Sequence, residues 1–215
     1  MNNGKKVFNL RKKIFKKSKY KDYDDILNDL FIPKYYNYKS CIPKCFSNKD
    51  YDKINVFNHE KYLPIYEKVL YDIEKINKQK TDKNVIFIIH PFYPLLRHCN
   101  FLIENTEYLN KYIEYEKKII KLLKFSKREL VLVESPDSFM NYTYTFLKYG
   151  RIKHVLLTRH SEGFLLDKEH SKFLKNIQSA SIVGCYRNRC ISDFESELKT
   201  INYHEIESMV LSRLE

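Results

Sequence analysis

From residue 85 onward the chain alternates short apolar runs with helical patterns. Val85-Ile86-Phe87-Ile88-Ile89 is a continuous β-branched and aromatic run of the kind buried on both faces of a sheet. Leu109, Ile113, Glu116, Ile120 and Leu123 then recur at helical spacing, predicting a helix over about 107–124. Leu130 to Glu134 reads as a second strand, and Asp137 or Ser138 can cap a helix that stops at Gly150. Ile152 to Thr158 is a third strand, followed by a helix over 165–177, a fourth strand over 180–184 and a helix over 192–200. A last helix is expected near His204 to Leu214. Strands alternating with helices predict an α/β fold: a doubly wound, mostly parallel Rossmann-like sheet of about four strands.

The first 84 residues have a different pattern. Val7, Leu10 and Ile14 recur at helical spacing, a short helical pattern runs from Asp24 to Phe31, and the stretch 33–58 reads as loop. Ile65, Val69, Ile73 and Ile76 mark one more helix, which gives way to the polar segment 77–84. The expected organisation is a helical N-terminal extension, 1–84, followed by a sheet domain, 85–215.

Charge follows the same division. Of 39 Lys and Arg against 27 Asp and Glu, residues 1–84 hold 20 and 11, so most of the net +12 belongs to the first part. The first 21 residues carry nine cations and no acid. Lys5, Lys6, Arg11, Lys12, Lys13, Lys16, Lys17 and Lys19, interleaved with Phe8, Phe15 and Tyr20, could contact phosphates and stack on unpaired bases of RNA or DNA. A solvated lysine arm accounts for the same run, because Asn, Lys, Ile and Tyr are frequent throughout the chain.

Several function classes fall away on composition. The 4 glycines, at positions 4, 150, 163 and 184, are too scattered for a G-x-G-x-x-G or Walker A phosphate cradle, so no nucleotide cofactor is expected from such a loop. No apolar run approaches the roughly 20 residues of a membrane span. The basic N-terminus lacks the apolar core of a secretory signal. Five cysteines form no regular disulfide framework, and the expected compartment is the cytoplasm. Cys41, Cys45 and His59 offer three metal-type ligands where a closed zinc site needs four, so no metal is expected.

In doubly wound sheets the ligand site lies beyond the carboxyl ends of the strands, where the strand order reverses. The residues after the strands are His90, Glu134, Arg159 with His160, and Cys185 to Cys190. Cys190, two residues before a predicted helix, stands where free N–H groups and the helix dipole would lower a thiol pKa. His90 on a neighbouring strand would take its proton, and Arg159 would stabilise an anion. Each also has an ordinary reading: a buried cysteine is a common core residue, a histidine can close a strand end, and Arg159 can be a surface cation.

The segment Arg159-His160-Ser161-Glu162-Gly163-Phe164, a helix, and then Ser181-Ile182-Val183-Gly184-Cys185-Tyr186-Arg187-Asn188-Arg189-Cys190 resembles isochorismatase-like cysteine hydrolases over about residues 85–200. The resemblance implies a six-stranded Rossmann-like sheet with the first and fourth strands adjacent. It also implies hydrolysis of amides, vinyl ethers or related small substrates, with Cys190 as nucleophile. The family's acid after the first strand is His90 in this chain, and its lysine is Arg159, which is always charged and cannot shuttle protons. Thr158 to Glu162 is also similar to the R-H-G-E tetrad of histidine phosphatases, but only 55 residues follow His160 and serine replaces the glycine. Val131 to Pro136 resembles the first strand of a toprim domain, without the later acid pair that completes its metal site. Two readings remain: a small-molecule cysteine hydrolase or a degenerate relative, and a basic nucleic-acid-binding protein.

Overall fold

A computed structural model describes residues 2–14, 63–135, 151–158, 163–165 and 168–213. Its frame is a five-stranded parallel sheet. β1 (Asn84–Ile89), β2 (Glu129–Glu134), β3 (Ile152–Leu157), β4 (Ser179–Cys185) and β5 (Asn202–Leu211) lie in the order β3-β2-β1-β4-β5. Seven helices and one kinked turn accompany it among the described residues: α1 (Asn3–Ile14), α2 (Leu63–Asn77), α3 (Tyr93–Arg97), α4 (Cys99–Glu104), α5 (Thr106–Phe125) and α6 (Lys168–Leu174), then the turn Arg187–Ile191, which runs into α7 (Ser192–Glu195).

The apolar strands form the centre because both of their faces are covered. Along β1, Ile86 and Ile88 point to one layer with Tyr112, Ile119 and Leu123 of α5, while Val85, Phe87 and Ile89 meet Leu174, Ile177 and Phe194 on the other side. Parallel neighbours require crossovers, and the switch of helices from one face to the other makes the sheet doubly wound. β2 and β3 lie on one side of β1 and β4 on the other, so the strand order reverses between β1 and β4.

One expectation is corrected. The helix predicted over His204 to Leu214 is β5, an edge strand paired parallel to β4, which adds a fifth strand to the sheet expected with about four. The register jumps from Ile182↔Glu205 to Gly184↔Val210, so the stretch 206–209 stands opposite Val183 alone. A bulge of that size breaks the two-residue period and leaves Ile206 and Val210 at a spacing that imitates a helix. The helix expected over 192–200 is shorter, ending at Glu195, and the one over 165–177 spans Lys168–Leu174. The predicted helix between Asp137 and Gly150 and the patterns over 24–58 lie outside the described residues.

The N-terminal helices share the core of the sheet. Val7 and Ile14 of α1 and Ile73 of α2 are buried in the same apolar cluster as α5. Asn77, at the end of α2, receives the N–H of Val155 and donates to its carbonyl, at 2.8 and 2.9 Å. A side-chain carboxamide therefore pairs with the outer edge of β3 as a strand would.

Candidate active site at the carboxyl edge of the sheet

β1 ends at Ile89, and His90 turns the chain with a positive φ of 41°. Its N–H bonds the carbonyl of Val133 at 3.0 Å, and its carbonyl receives the Cys185 thiol at 2.9 Å and the Tyr93 N–H at 3.1 Å. The backbone of His90 thus ties the ends of β2, β1 and β4 together. Gly184 makes the β1–β4 seam possible: it has φ 131°, and a Cβ there would fall 2.0 Å from the Ile89 carbonyl oxygen.

The imidazole of His90 lies wholly inside. Its Nε2 is 3.1 Å from Thr158 Oγ1, beyond the end of β3, and 3.7 Å from Glu134 Oε1, at the end of β2. Glu134 Oε1 also accepts the Ser135 N–H at 2.9 Å, and the Thr158 N–H bonds the Glu134 carbonyl at 3.1 Å. His90, Glu134 and Thr158 are each fully buried. Three successive strand ends therefore present one histidine, one carboxylate and one hydroxyl to a common point.

Cys190 is placed by the turn that follows β4. The Cys185–Tyr186 peptide is cis, and the Tyr186 carbonyl collects the N–H groups of Arg189 and Ile191, both at 3.1 Å. Gly163 packs on this turn so closely that a Cβ would lie 1.8 Å from the Cys190 carbonyl oxygen, and its N–H bonds Asp193 Oδ2 at 3.1 Å. The thiol is 2% exposed. Burial pushes its pKa up to about 12, opposed by the Tyr186 backbone and reinforced by the Asp193 and Glu134 carboxylates. The lowering expected from a helix terminus is outweighed by this burial, and Asp193, in the first turn of the four-residue α7, adds to the rise. Cys185 is raised well above its ordinary value by the same desolvation.

Aromatic residues back this edge. Tyr93 stacks on His90 at 5.9 Å, and His98 stacks on Tyr186 at 5.5 Å with its Nδ1 3.0 Å from the phenol oxygen.

The structure brings His90 and the turn bearing Cys190 to the same end of the adjacent strands β1 and β4. Arg159 lies outside the described residues. Glu134 and Thr158 were missed as partners of His90, although the signal was present: each closes an apolar strand with a polar residue. Of the basic N-terminal set, Lys5, Lys12 and Lys13 are exposed and Lys6 is half-buried. Lys13 pairs with the buried Glu116 at 3.1 Å. Arg11 is buried and bonds the Leu95 carbonyl and, at 3.0 Å, Cys99 Sγ, so it anchors α1 and is withdrawn from any phosphate-contacting surface. Lys16, Lys17 and Lys19, and the Cys41, Cys45 and His59 set, lie outside the described residues. Among the described residues no three His, Cys, Asp or Glu side chains gather as a metal site, and no helix is long and apolar enough to cross a membrane.

The fold and this edge define an α/β protein whose polar strand-end cluster sits beside the reversal of strand order. No family model and no curated protein matches the chain. Among solved structures it is similar to MAR1 ribonuclease from Caenorhabditis elegans, at 15% identity and a TM-score of 0.41. That match covers 61% of this chain and 66% of the other, slightly under two thirds of its length.

Proposed function

We propose that the sheet domain is isochorismatase-like and that its carboxyl edge hydrolyses a small acyl compound through Cys190. The observation that carries this reading is the convergence of His90, Glu134 and Thr158 beside the strand-order reversal, next to the turn that holds Cys190. The sequence from Ser181 to Cys190 supports the same group.

The buried thiol is neutral at rest, so attack requires its proton to leave as the bond forms. Cys190 Sγ bonds the carbonyl carbon while its proton passes to His90, and Glu134 offsets the imidazolium charge. Arg159 and backbone N–H groups stabilise the oxyanion. Collapse breaks the bond to the leaving group, which takes the proton from His90. Water then loses a proton to His90 as it attacks the thioester carbonyl; the C–S bond breaks and the Cys190 sulfur takes the proton back from His90, releasing the acid and the free thiol.

A panel of amides, esters and thioesters, assayed with the full chain and with Cys190→Ala and His90→Asn, tests this. Hydrolysis lost in both variants, with a solvent isotope effect on the acylation step, supports it. Activity that survives Cys190→Ala overturns it. The raised thiol also favours a second reading, a degenerate relative. Absence of turnover across the panel, with Cys190 refractory to iodoacetamide up to pH 9, selects that one.

A further inference from the structure

At the opposite end of the strands, a cavity of about 540 Å³ opens between the polar segment after α2 and the turn after α6. The two walls are joined where the N–H groups of Gln178 and Ser179 bond the Lys83 carbonyl, at 2.8 and 3.2 Å. Lys80, Lys83 and Lys175 line it, with the carboxamides of Asn176 and Gln178, and no carboxylate is among its lining residues. His154 of β3 also lines it. This ring is 8% exposed, stacks on Phe173 at 3.7 Å between centroids, and leaves Nδ1 without a hydrogen-bond partner.

These features call for a ligand with two chemistries. Three ammonium groups with no acid among them hold a phosphate. A buried polar nitrogen without a partner and carboxamides that both donate and accept suit the edge of a base, with the Phe173–His154 pair as an aromatic surface beside it. The volume lies within the range of small-molecule sites and far exceeds a bare phosphate. We propose that this groove binds a nucleotide unit, its phosphate on Lys80, Lys83 and Lys175 and its base against the carboxamides and His154. This device needs no glycine-rich loop, and two of its three lysines, Lys80 and Lys83, belong to the positive excess of residues 1–84 but lie far in sequence from the N-terminal run. It is independent of the chemistry at the carboxyl edge.

The unit can be a free mononucleotide or part of a single strand, and two probes separate these sources. Anisotropy of the full chain is read with a fluorescent AMP derivative and with a fluorescein-labelled twelve-residue oligouridylate. For either probe that binds, combined Lys80→Ala, Lys83→Ala and Lys175→Ala should weaken affinity about tenfold or more. With the oligonucleotide, it should flatten the dependence of log affinity on log salt by about 2. The same three changes at the exposed Lys111, Lys117 and Lys121 of α5 remove equal charge and should alter affinity less than about twofold. His154→Phe, which keeps an aromatic stack, should weaken binding about threefold. Binding of the AMP derivative marks a free-nucleotide site, and binding of the oligonucleotide alone marks a single-strand site. The proposal is overturned if neither probe binds, if the α5 control loses as much affinity as the groove variant, or if inorganic phosphate competes as well as AMP.

Discussion

His90 and Glu134 end adjacent strands and bring Nε2 and Oε1 to 3.7 Å with neither side chain in contact with solvent. A buried carboxylate that accepts a backbone N–H is costly to remove, because the donor is left in a medium that cannot solvate it. Glu134→Ala leaves the Ser135 N–H without its acceptor and a void beside the His90 ring, and should lower the unfolding free energy by about 3 kcal/mol. Glu134→Gln keeps an acceptor for the Ser135 N–H and should cost about 1–2 kcal/mol. Urea unfolding of the two variants measures the difference, and equal costs would mean that the acceptor kept by glutamine contributes nothing at this edge.

Gly184 and Gly163 hold the two close approaches that shape the same edge. Gly184→Ala places a methyl group against the Ile89 carbonyl at a φ that L residues rarely adopt, and should cost about 3 kcal/mol or more. Gly163→Ala meets the Cys190 carbonyl and the Phe194 N–H instead, which belong to the turn after β4 and to α7 rather than to the central sheet. Its smaller effect on stability should accompany a clear change in the exposure of Cys190. Thermal unfolding and thiol labelling, read together, separate these two outcomes.

The centre of the fold was legible for a physical reason. A strand buried on both faces must be apolar throughout, so Val85 to Ile89 and Leu130 to Val133 announce themselves without any partner. His90, directly after the first run, could be placed at a strand end from sequence. β5 could not, because an edge strand with a four-residue bulge has no uniform period to read. Likewise, the link between Glu134 and His90 depends on β1 and β2 being neighbours, which spacing along one chain does not encode. The direction of the Cys190 shift was hidden for a related reason: its position before a helix was visible, but the brevity of α7 and the depth of burial were not.

Asn77 stands in for a missing strand at the β3 edge. Removing its side chain leaves the N–H and carbonyl of the buried Val155 without those bonds, and Asn77→Ala should cost about 2 kcal/mol. Asn77→Asp retains the acceptor for the Val155 N–H but loses the donor and sets a carboxylate against a carbonyl. Its cost should equal or exceed that of alanine. Hydrogen exchange at the Val155 amide checks the first claim: protection should fall in the alanine variant and persist in the aspartate one.

The pKa of Cys190 near 12 sets a direction for alkaline stability. An unfolded thiol ionises near 8.5, so between about 8.5 and 12 the unfolded chain has lost this proton and the folded chain keeps it. The stabilisation is complete below the unfolded pKa and is lost as pH rises through that window. Cys190→Ser, which cannot ionise there, should lose stability less steeply with pH than the native chain. Parallel curves for the two proteins between pH 8 and 11 would show that the thiol is not held neutral by burial.

His154 works in the opposite direction at acid pH. Burial, reinforced by the neighbouring His170, lowers its pKa to about 4, whereas an unfolded histidine titrates near 6.5. The fold therefore favours the neutral ring, and this contribution is complete above pH 6.5 and disappears as pH falls toward 4. His154→Phe preserves an aromatic partner for Phe173 and removes the titration, so it should make the chain less sensitive to acid over that interval. The imidazole proton resonances of His154 should show a midpoint near 4 in the free protein. A phosphate held by Lys80, Lys83 and Lys175 brings negative charge beside the ring and favours its protonated form. Binding of AMP in the groove should therefore move the midpoint upward. A midpoint near 6.5 without ligand would mean that the ring is solvated, and the low-pH difference between His154→Phe and the native chain should then vanish as well.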